Sequence, residues 1–295
     1  MSAQPRSPST RSARARSIAV TGATGHIGGL VARSLAQEGI SQRLLARTVT
    51  RLPQLAGADA VEASYGDFDA AVAGLTGIDT LFMVSAAESA DRLTAHRTFV
   101  DAATTAGVRH IVYTSYLGAA PDSTFTLARD HWATEEYIRS TGMAFTFLRD
   151  SAYIDFLPSL AGADGVIRGP AGNGVVGAVS RSDIARVAVS VLKDLDSHAG
   201  RTHDLTGREA LTLTEVAAII TEVTGTPTTY VEETIEEAYA SRASYNAPDW
   251  EVDAWVSTYT AIANGELSST STAVEDITGV PPLTLREFLT AGAGA

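Results

Sequence analysis

The chain has 295 residues, 45% of them hydrophobic, and a formal net charge of −12. That supplies a sizeable core for one large α/β domain, alone or with a smaller lobe. Cysteine is absent, which excludes disulfides, thiolate metal sites and a cysteine nucleophile. The acidic balance argues against nucleic acid as a partner of the folded part.

The chain opens with Arg6, Arg11, Arg14 and Arg16 among Ser, Pro and Ala. Residues 1–16 read as a disordered basic tail. A secretory signal needs an apolar segment that this stretch lacks. An organelle transit peptide is the other reading, without its usual amphipathic pattern. No apolar run approaches the ~20 residues of a membrane span. A cytoplasmic protein without membrane contact is expected.

Ile18-Ala19-Val20 is a short apolar run suited to a strand buried on both faces. Gly22, Gly25 and Gly28 follow at a spacing of three, and Leu30 to Ala36 has helical spacing. A glycine turn between strand and helix is the context of a dinucleotide site. Gly22 permits the tight turn, Gly25 admits the pyrophosphate and Gly28 lets the helix lie close to the strand. Thr24, Gly25, His26 and Ile27 bring backbone N–H groups to the helix start, where phosphate is favoured. The His26 ring reads as a bystander.

Further strands are expected at 42–47, 60–65, 80–85, 110–115 and 144–149. Helical or turn segments are expected at 51–55, 69–75, 90–106 and 125–141 between them. This alternation predicts an α/β fold with a doubly wound parallel sheet. Residues 17–150 form the Rossmann domain, and 151–295 a mostly substrate-binding lobe. Within the latter, 202–207 reads as a strand returning to the sheet, and 182–195 as a helix. Thr212 and Glu215 form a capping box at the start of another helix. Trp255, Val256, Tyr259 and Ile262 share a helical stripe that reads as core.

In such a sheet the ligand lies at the carboxyl ends of the strands. Gly22, Arg47, Asp67, Ser85, Thr114, Ser115 and Asp150 stand at those ends or just beyond. An NAD site puts an acid at the end of the second strand to hold the ribose hydroxyl. Arg47 stands there instead and is suited to a 2′-phosphate, which favours NADPH; a solvated surface arginine is the other reading. Asp67 and Phe68 read as adenine contacts or as a solvated loop. Tyr116, Tyr153 and Phe156 follow strand ends and line a flat aromatic pocket or pack as core.

Many reductases of this fold use a Tyr-x-x-x-Lys pair. Lys193 is the only lysine, and Val189 lies four residues before it. The pair cannot form. Hydride addition to a simple ketone makes an alkoxide that needs a proton donor at once. Addition to a quinone makes a phenolate, and addition to an iminium or cationic dye makes a neutral product. The last two need positioning more than acid catalysis.

Residues 21–28, 106–115 and 144–149 resemble atypical short-chain dehydrogenases of the NmrA-like group. Within it, they are most similar to the branch of triphenylmethane reductase and the type 2 NADPH:quinone oxidoreductases. The likeness runs from about Ser17 to the C-terminus and includes 131–135 and 263–266. It implies an NAD(P)-binding Rossmann fold, NADPH without flavin or metal, and reduction of quinones or cationic dyes. It places His131 where related enzymes carry a catalytic lysine, and Asp150 where Asn is usual. Non-catalytic NADP(H)-sensing regulators also occur in the group and form the alternative reading. A sugar epimerase or dehydratase is disfavoured by the missing pair.

His131 lies on a helical face with Leu127, Thr134 and Ile138, and Glu135, one turn on, is placed to orient or charge it. His131 is expected to anchor the nicotinamide ribose or donate a proton, with Tyr116 beside it; a structural role is the third option. Asp150, Tyr153, Phe156 and Tyr116 are the substrate-side candidates. The expected partner is a small electrophile, and the protein a monomer or homodimer.

Overall fold

A computed structural model describes residues 17–292. The expected basic tail lies outside them. The chain begins with β1 (Ile18–Thr21), α1 (His26–Gln37), β2 (Gln42–Ala46) and β3 (Ala58–Glu62). It continues through α2 (Phe68–Leu75), β4 (Thr80–Met83), α3 (Arg92–Ala106), β5 (His110–Tyr116), α4 (Thr126–Ser140) and β6 (Ala144–Asp150). Two short strands follow, β7 (Val166–Gly169) and β8 (Val175–Val176), then α5 (Arg181–Lys193), α6 (Leu195–His198) and β9 (Arg201–Leu205).

Seven of these strands form one sheet in the order β3-β2-β1-β4-β5-β6-β9. Every pairing is parallel. This is the doubly wound architecture expected from the alternation of elements. The return strand is also present: Arg201 pairs with Thr146 and Leu205 with Asp150. The order reverses between β1 and β4, which opens a crevice at their carboxyl ends.

Both sheet faces are dry. Val20, Leu44, Phe82, Val112 and Leu148 pack under α1 and α5. Ala19, Leu81, Ile111, Tyr113 and Phe147 pack under α2, α3 and α4. Burial on both sides explains why these strands read as continuous apolar runs.

Most strand ends fall within a residue or two of expectation, and the third and fourth strands show why they shift. The third strand starts and ends earlier than 60–65, because Ala63 N–H already closes the ladder on Ala46 O at 3.0 Å. Tyr65 then leaves the strand, and its hydroxyl lies 2.6 Å from Thr21 Oγ1. The fourth strand stops at Met83 rather than Ser85. Beyond it, Val84 N–H donates to Thr21 Oγ1 at 2.9 Å and Ser85 N–H to Thr114 Oγ1 at 2.8 Å. Side-chain hydroxyls satisfy the backbone where the ladder parts.

The C-terminal part adds β10 (Leu211–Thr212), α7 (Leu213–Thr224), β11 (Thr229–Glu232), α8 (Ile235–Arg242), α9 (Asp249–Ala263), α10 (Ala273–Thr278) and α11 (Leu285–Gly292). β8 pairs with β10 and β11 with β7 in two small sheets. The capping box at Thr212 and Glu215 is formed; Val256, Tyr259 and Ile262 are buried as their stripe implied, while Trp255 of the same stripe is only half-buried. This part has its own apolar cluster, with Ile167, Leu213, Val216, Tyr259 and Leu285. Among the described residues no helix is long and apolar enough to cross a membrane. No group of three or more His, Asp or Glu among them is placed to hold a metal.

Candidate cofactor and substrate site

The glycine turn has the shape its residues dictate. Gly22 sits at φ +65°, a left-handed conformation that glycine adopts without strain. Gly25 N–H donates to Gly22 O at 2.8 Å and closes the turn. Gly25 is the N-cap of α1 and offers no side-chain acceptor to the first turn. A Cβ on Gly28 would lie 2.4 Å from Thr21 O. The helix therefore rests directly on the strand, and only glycine fits. Ile27 is buried beneath, while Thr24, Gly25 and His26 are exposed at the mouth. A helix N-terminus with free N–H groups at a sheet switch point fits a dinucleotide pyrophosphate.

Arg47 follows the last residue of β2 on the same sheet edge, is exposed, and makes no ion pair among the described residues. Asp67 is the N-cap of α2, and its carboxylate accepts from Ala70 N–H at 3.0 Å. That bond occupies one carboxylate oxygen, and the adjacent Phe68 ring is 39% exposed. Thr114 is buried, and its hydroxyl holds the Ser85 backbone. Ser115 points to the opposite face and donates to Glu135 Oε1 at 2.6 Å. Its hydroxyl is thus committed inside the protein.

Glu135 departs from its expected part. It does not orient His131. Its fully buried carboxylate takes Arg149 in a two-pronged pair, Nε at 2.9 Å and Nη2 at 2.7 Å. The pair ties α4 to the end of β6.

His131 is buried on α4 with Leu127, Thr134 and Ile138, as its face implied. Both ring nitrogens have protein partners. Arg92 Nη2 donates to Nε2 at 2.9 Å, so the ring proton lies on Nδ1 and faces Tyr113 Oη at 3.0 Å. Burial, with Arg92 and His96 adding, holds His131 neutral well below the usual imidazole range. His96 behaves alike: Nε2 accepts from Ala86 N–H at 2.8 Å, and burial pushes its pKa down to about 3.

Arg92 opens α3 and was not singled out in the sequence. Only its place, just past the fourth strand's carboxyl end, marks it. It is 4% exposed. Its Nε donates to Ala86 O at 3.0 Å. Nη1 has no hydrogen-bond acceptor, and Asp130 Oδ2 lies 3.9 Å away.

Tyr116 ends β5 opposite Asp150 on β6. Its ring is 4.8 Å from Phe125 and 6.0 Å from His131. Burial pushes its phenol up, which makes it a weaker acid than a free tyrosine. Asp150 is wholly buried, Oδ1 has no partner, and Tyr153 Oη donates to Oδ2 at 3.3 Å. Burial without a nearby cation raises its carboxyl well above the usual range. The Tyr153 ring lies under the Arg181 guanidinium at 4.9 Å. Phe156 is 54% exposed. The substrate-side candidates thus gather at the ends of β5 and β6. Glu266 accepts from Thr124 N–H at 3.1 Å, so 263–266 braces the loop that leads into α4. Lys193 lies at the far end of α5, paired with Glu38 at the sheet's opposite edge.

Comparison with known proteins agrees with this geometry. Residues 22–195 match the model of the NAD(P)H-binding family. Quinone oxidoreductase 2 of Escherichia coli (strain K12) is 33% identical over 92% of this chain and 96% of its own length. A crystal structure of that NADPH-dependent enzyme type from Escherichia coli, complexed with NADPH, superposes with TM-score 0.85 at 30% identity, over 94% of this chain and 99% of its own. NAD(P)H azoreductase of Xenophilus azovorans is 32% identical over 94% of this chain and 98% of its own length. Triphenylmethane reductase of Citrobacter sp. superposes with TM-score 0.83 at 31% identity, covering 95% and 100%. On the matched residues, the glycine turn and the sheet order, this chain belongs to the NAD(P)H-binding family.

Proposed function

We propose that the chain is an NADPH-dependent reductase that passes hydride to an electrophilic, conjugated acceptor. One observation carries the reading. An exposed glycine turn and the Tyr116–His131–Asp150 group share one edge of the sheet, and the only lysine lies at the other. The site can hold a nicotinamide cofactor but offers no tyrosine–lysine pair for a simple ketone. The relatives named for quinone and azo substrates support the same acceptor class.

In this reading the N–H groups of Thr24, Gly25, His26 and Ile27 hold the pyrophosphate. Arg47 pairs with the 2′-phosphate, and Phe68 covers the adenine beside Asp67. Ser85 and Thr114 shape the crevice beyond, with Ser115 behind them. NADPH supplies the hydride. The chain positions the acceptor with Tyr116, Tyr153 and Phe156, and keeps His131 neutral and fixed.

Purified protein is offered NADPH with a soluble quinone and no added flavin. Loss of nicotinamide absorbance matched by quinone consumption supports the reading. Tight binding of both NADP and NADPH with no turnover of any acceptor supports the sensing alternative instead.

A further inference from the structure

The Arg92 guanidinium lies in the interior, and its hydrogen bonds leave one arm unused. Burying an ion costs several kcal/mol unless it is paired and hydrogen-bonded. Here the guanidinium has two neutral partners, Ala86 O and His131 Nε2. Its third arm, Nη1, is buried and meets no acceptor. No facing group offers that arm a hydrogen bond, and one carboxylate stands in ion-pair range. His96 and His131 are held neutral by burial, and Tyr65 and Tyr113 have phenols pushed up by burial. Asp130 Oδ2 pairs with Nη1 at 3.9 Å, too long for a hydrogen bond; burial raises the carboxyls of Asp130 and Glu88, and Arg92 opposes that shift in both. Asp150, at the neighbouring strand end, is raised as well.

We propose that Arg92 is the residue that stabilises the developing oxyanion, and that the acceptor is a neutral carbonyl compound of the quinone class rather than a cation. This rests on the reductase reading above. A quinone that gains hydride at one oxygen forms an O–H bond there. Its ring becomes aromatic, and an electron pair comes to rest on the second oxygen. That phenolate is the missing acceptor for Arg92 Nη1–H, and water then supplies the proton. NADPH is the reductant and leaves as NADP. A cationic acceptor gives a neutral product, so it gains nothing from the guanidinium and is repelled by it. The fixed partners Ala86 O and His131 Nε2 hold the donor in place before charge develops.

The test compares wild type with Arg92→Met and Arg92→Lys. Nicotinamide fluorescence first gives NADPH affinity. kcat/KM is then measured with a neutral quinone and with a cationic triphenylmethane dye. Arg92→Met should lose at least ~100-fold with the quinone, the low end for removing one preorganised donor. Its loss with the dye should be at least tenfold smaller. Arg92→Lys keeps the charge and should recover part of the quinone activity. A separate readout needs no turnover: 4-nitrophenol, whose phenolate absorbs visible light, should ionise at lower pH when bound to wild type than in solution. That shift should disappear in Arg92→Met.

Equal losses with both acceptors and normal NADPH affinity make Arg92 structural and overturn the proposal. Weakened NADPH binding with acceptor preference intact assigns it to the cofactor and overturns it too. If Arg92→Met fails to fold, the Lys variant and the wild-type nitrophenol titration decide the matter. If wild type reduces neither acceptor, the reductase reading fails. The nitrophenol shift then still reports on Arg92 by itself.

Discussion

Gly28→Ala tests the glycine turn where its geometry is tightest. The added Cβ would stand 2.4 Å from Thr21 O and 2.5 Å from Gly22 C. Both are backbone atoms, so no side chain can swing aside. Real Cβ contacts begin near 3.0 Å, so α1 must back away from β1 by about 0.6 Å. α1 is also packed against α5, with Val31, Ala32 and Leu35 fully buried. Overpacking of this kind costs about 1–3 kcal/mol. The first-turn N–H groups move with the helix, and misplacing two hydrogen bonds to a charged group costs about 3–6 kcal/mol of binding. Urea unfolding should therefore show a loss of about 1–3 kcal/mol, and nicotinamide fluorescence a drop in NADPH affinity of at least ~100-fold. Gly66→Ala is the control, since a Cβ there meets nothing within 4 Å. It should stay within about 0.5 kcal/mol of wild type. A Gly28→Ala protein that keeps both stability and NADPH affinity would refute the close approach of helix and strand as the basis of the site.

Arg47→Ala should weaken NADPH by about 1.5–3 kcal/mol and leave NADH little changed, as measured by titration calorimetry; equal losses for the two cofactors would remove Arg47 from the 2′-phosphate. His131→Gln can still accept from Arg92 and donate to Tyr113, so it should keep most of the turnover, while His131→Ala should lose at least ~10-fold. Since burial, Arg92 and His96 hold the His131 ring neutral, the wild-type rate should show no loss as pH rises through 6–7, and such a loss would restore the acid role. Asp150 is raised well above its usual range when folded, so between about pH 4 and its folded value the unfolded chain has released a proton that the native state keeps. Its contribution to stability therefore falls as pH rises, by at most about 1.4 kcal/mol per unit. Asp150→Asn should gain on wild type by up to about 2.7 kcal/mol between pH 5 and 7, seen as a growing Tm advantage; a constant difference would mean that the buried carboxyl is ionised. His96 and His131 act with the opposite sign in both proteins and cancel in the difference.

The sheet was legible because burial on both faces leaves apolar runs, and because Gly22 and Gly28 are each demanded by one backbone geometry. The strand-end rule located Tyr116, Asp150 and Ser85 without side-chain detail. It could not tell which face each side chain takes. Thr114 and Ser115 are neighbours in sequence, yet one holds the Ser85 backbone and the other is bound to Glu135 across the sheet. The Glu135–Arg149 pair spans 14 positions, and Arg92 reaches His131 across 39. No local spacing encodes either contact. Helical spacing therefore points Glu135 at its neighbour His131 and gives no sign of Arg92.

The proposed reaction is hydride transfer from NADPH to a conjugated acceptor at the edge shared by the glycine turn and Tyr116. It is tested most directly by single-turnover mixing of the NADPH-loaded protein with a quinone, following nicotinamide absorbance and the quinone band together. Both should decay with one rate constant and in equal amounts, without flavin, and NADPH deuterated at the transferred position should slow both. Loss of neither signal, with NADPH shown to be bound, would contradict it.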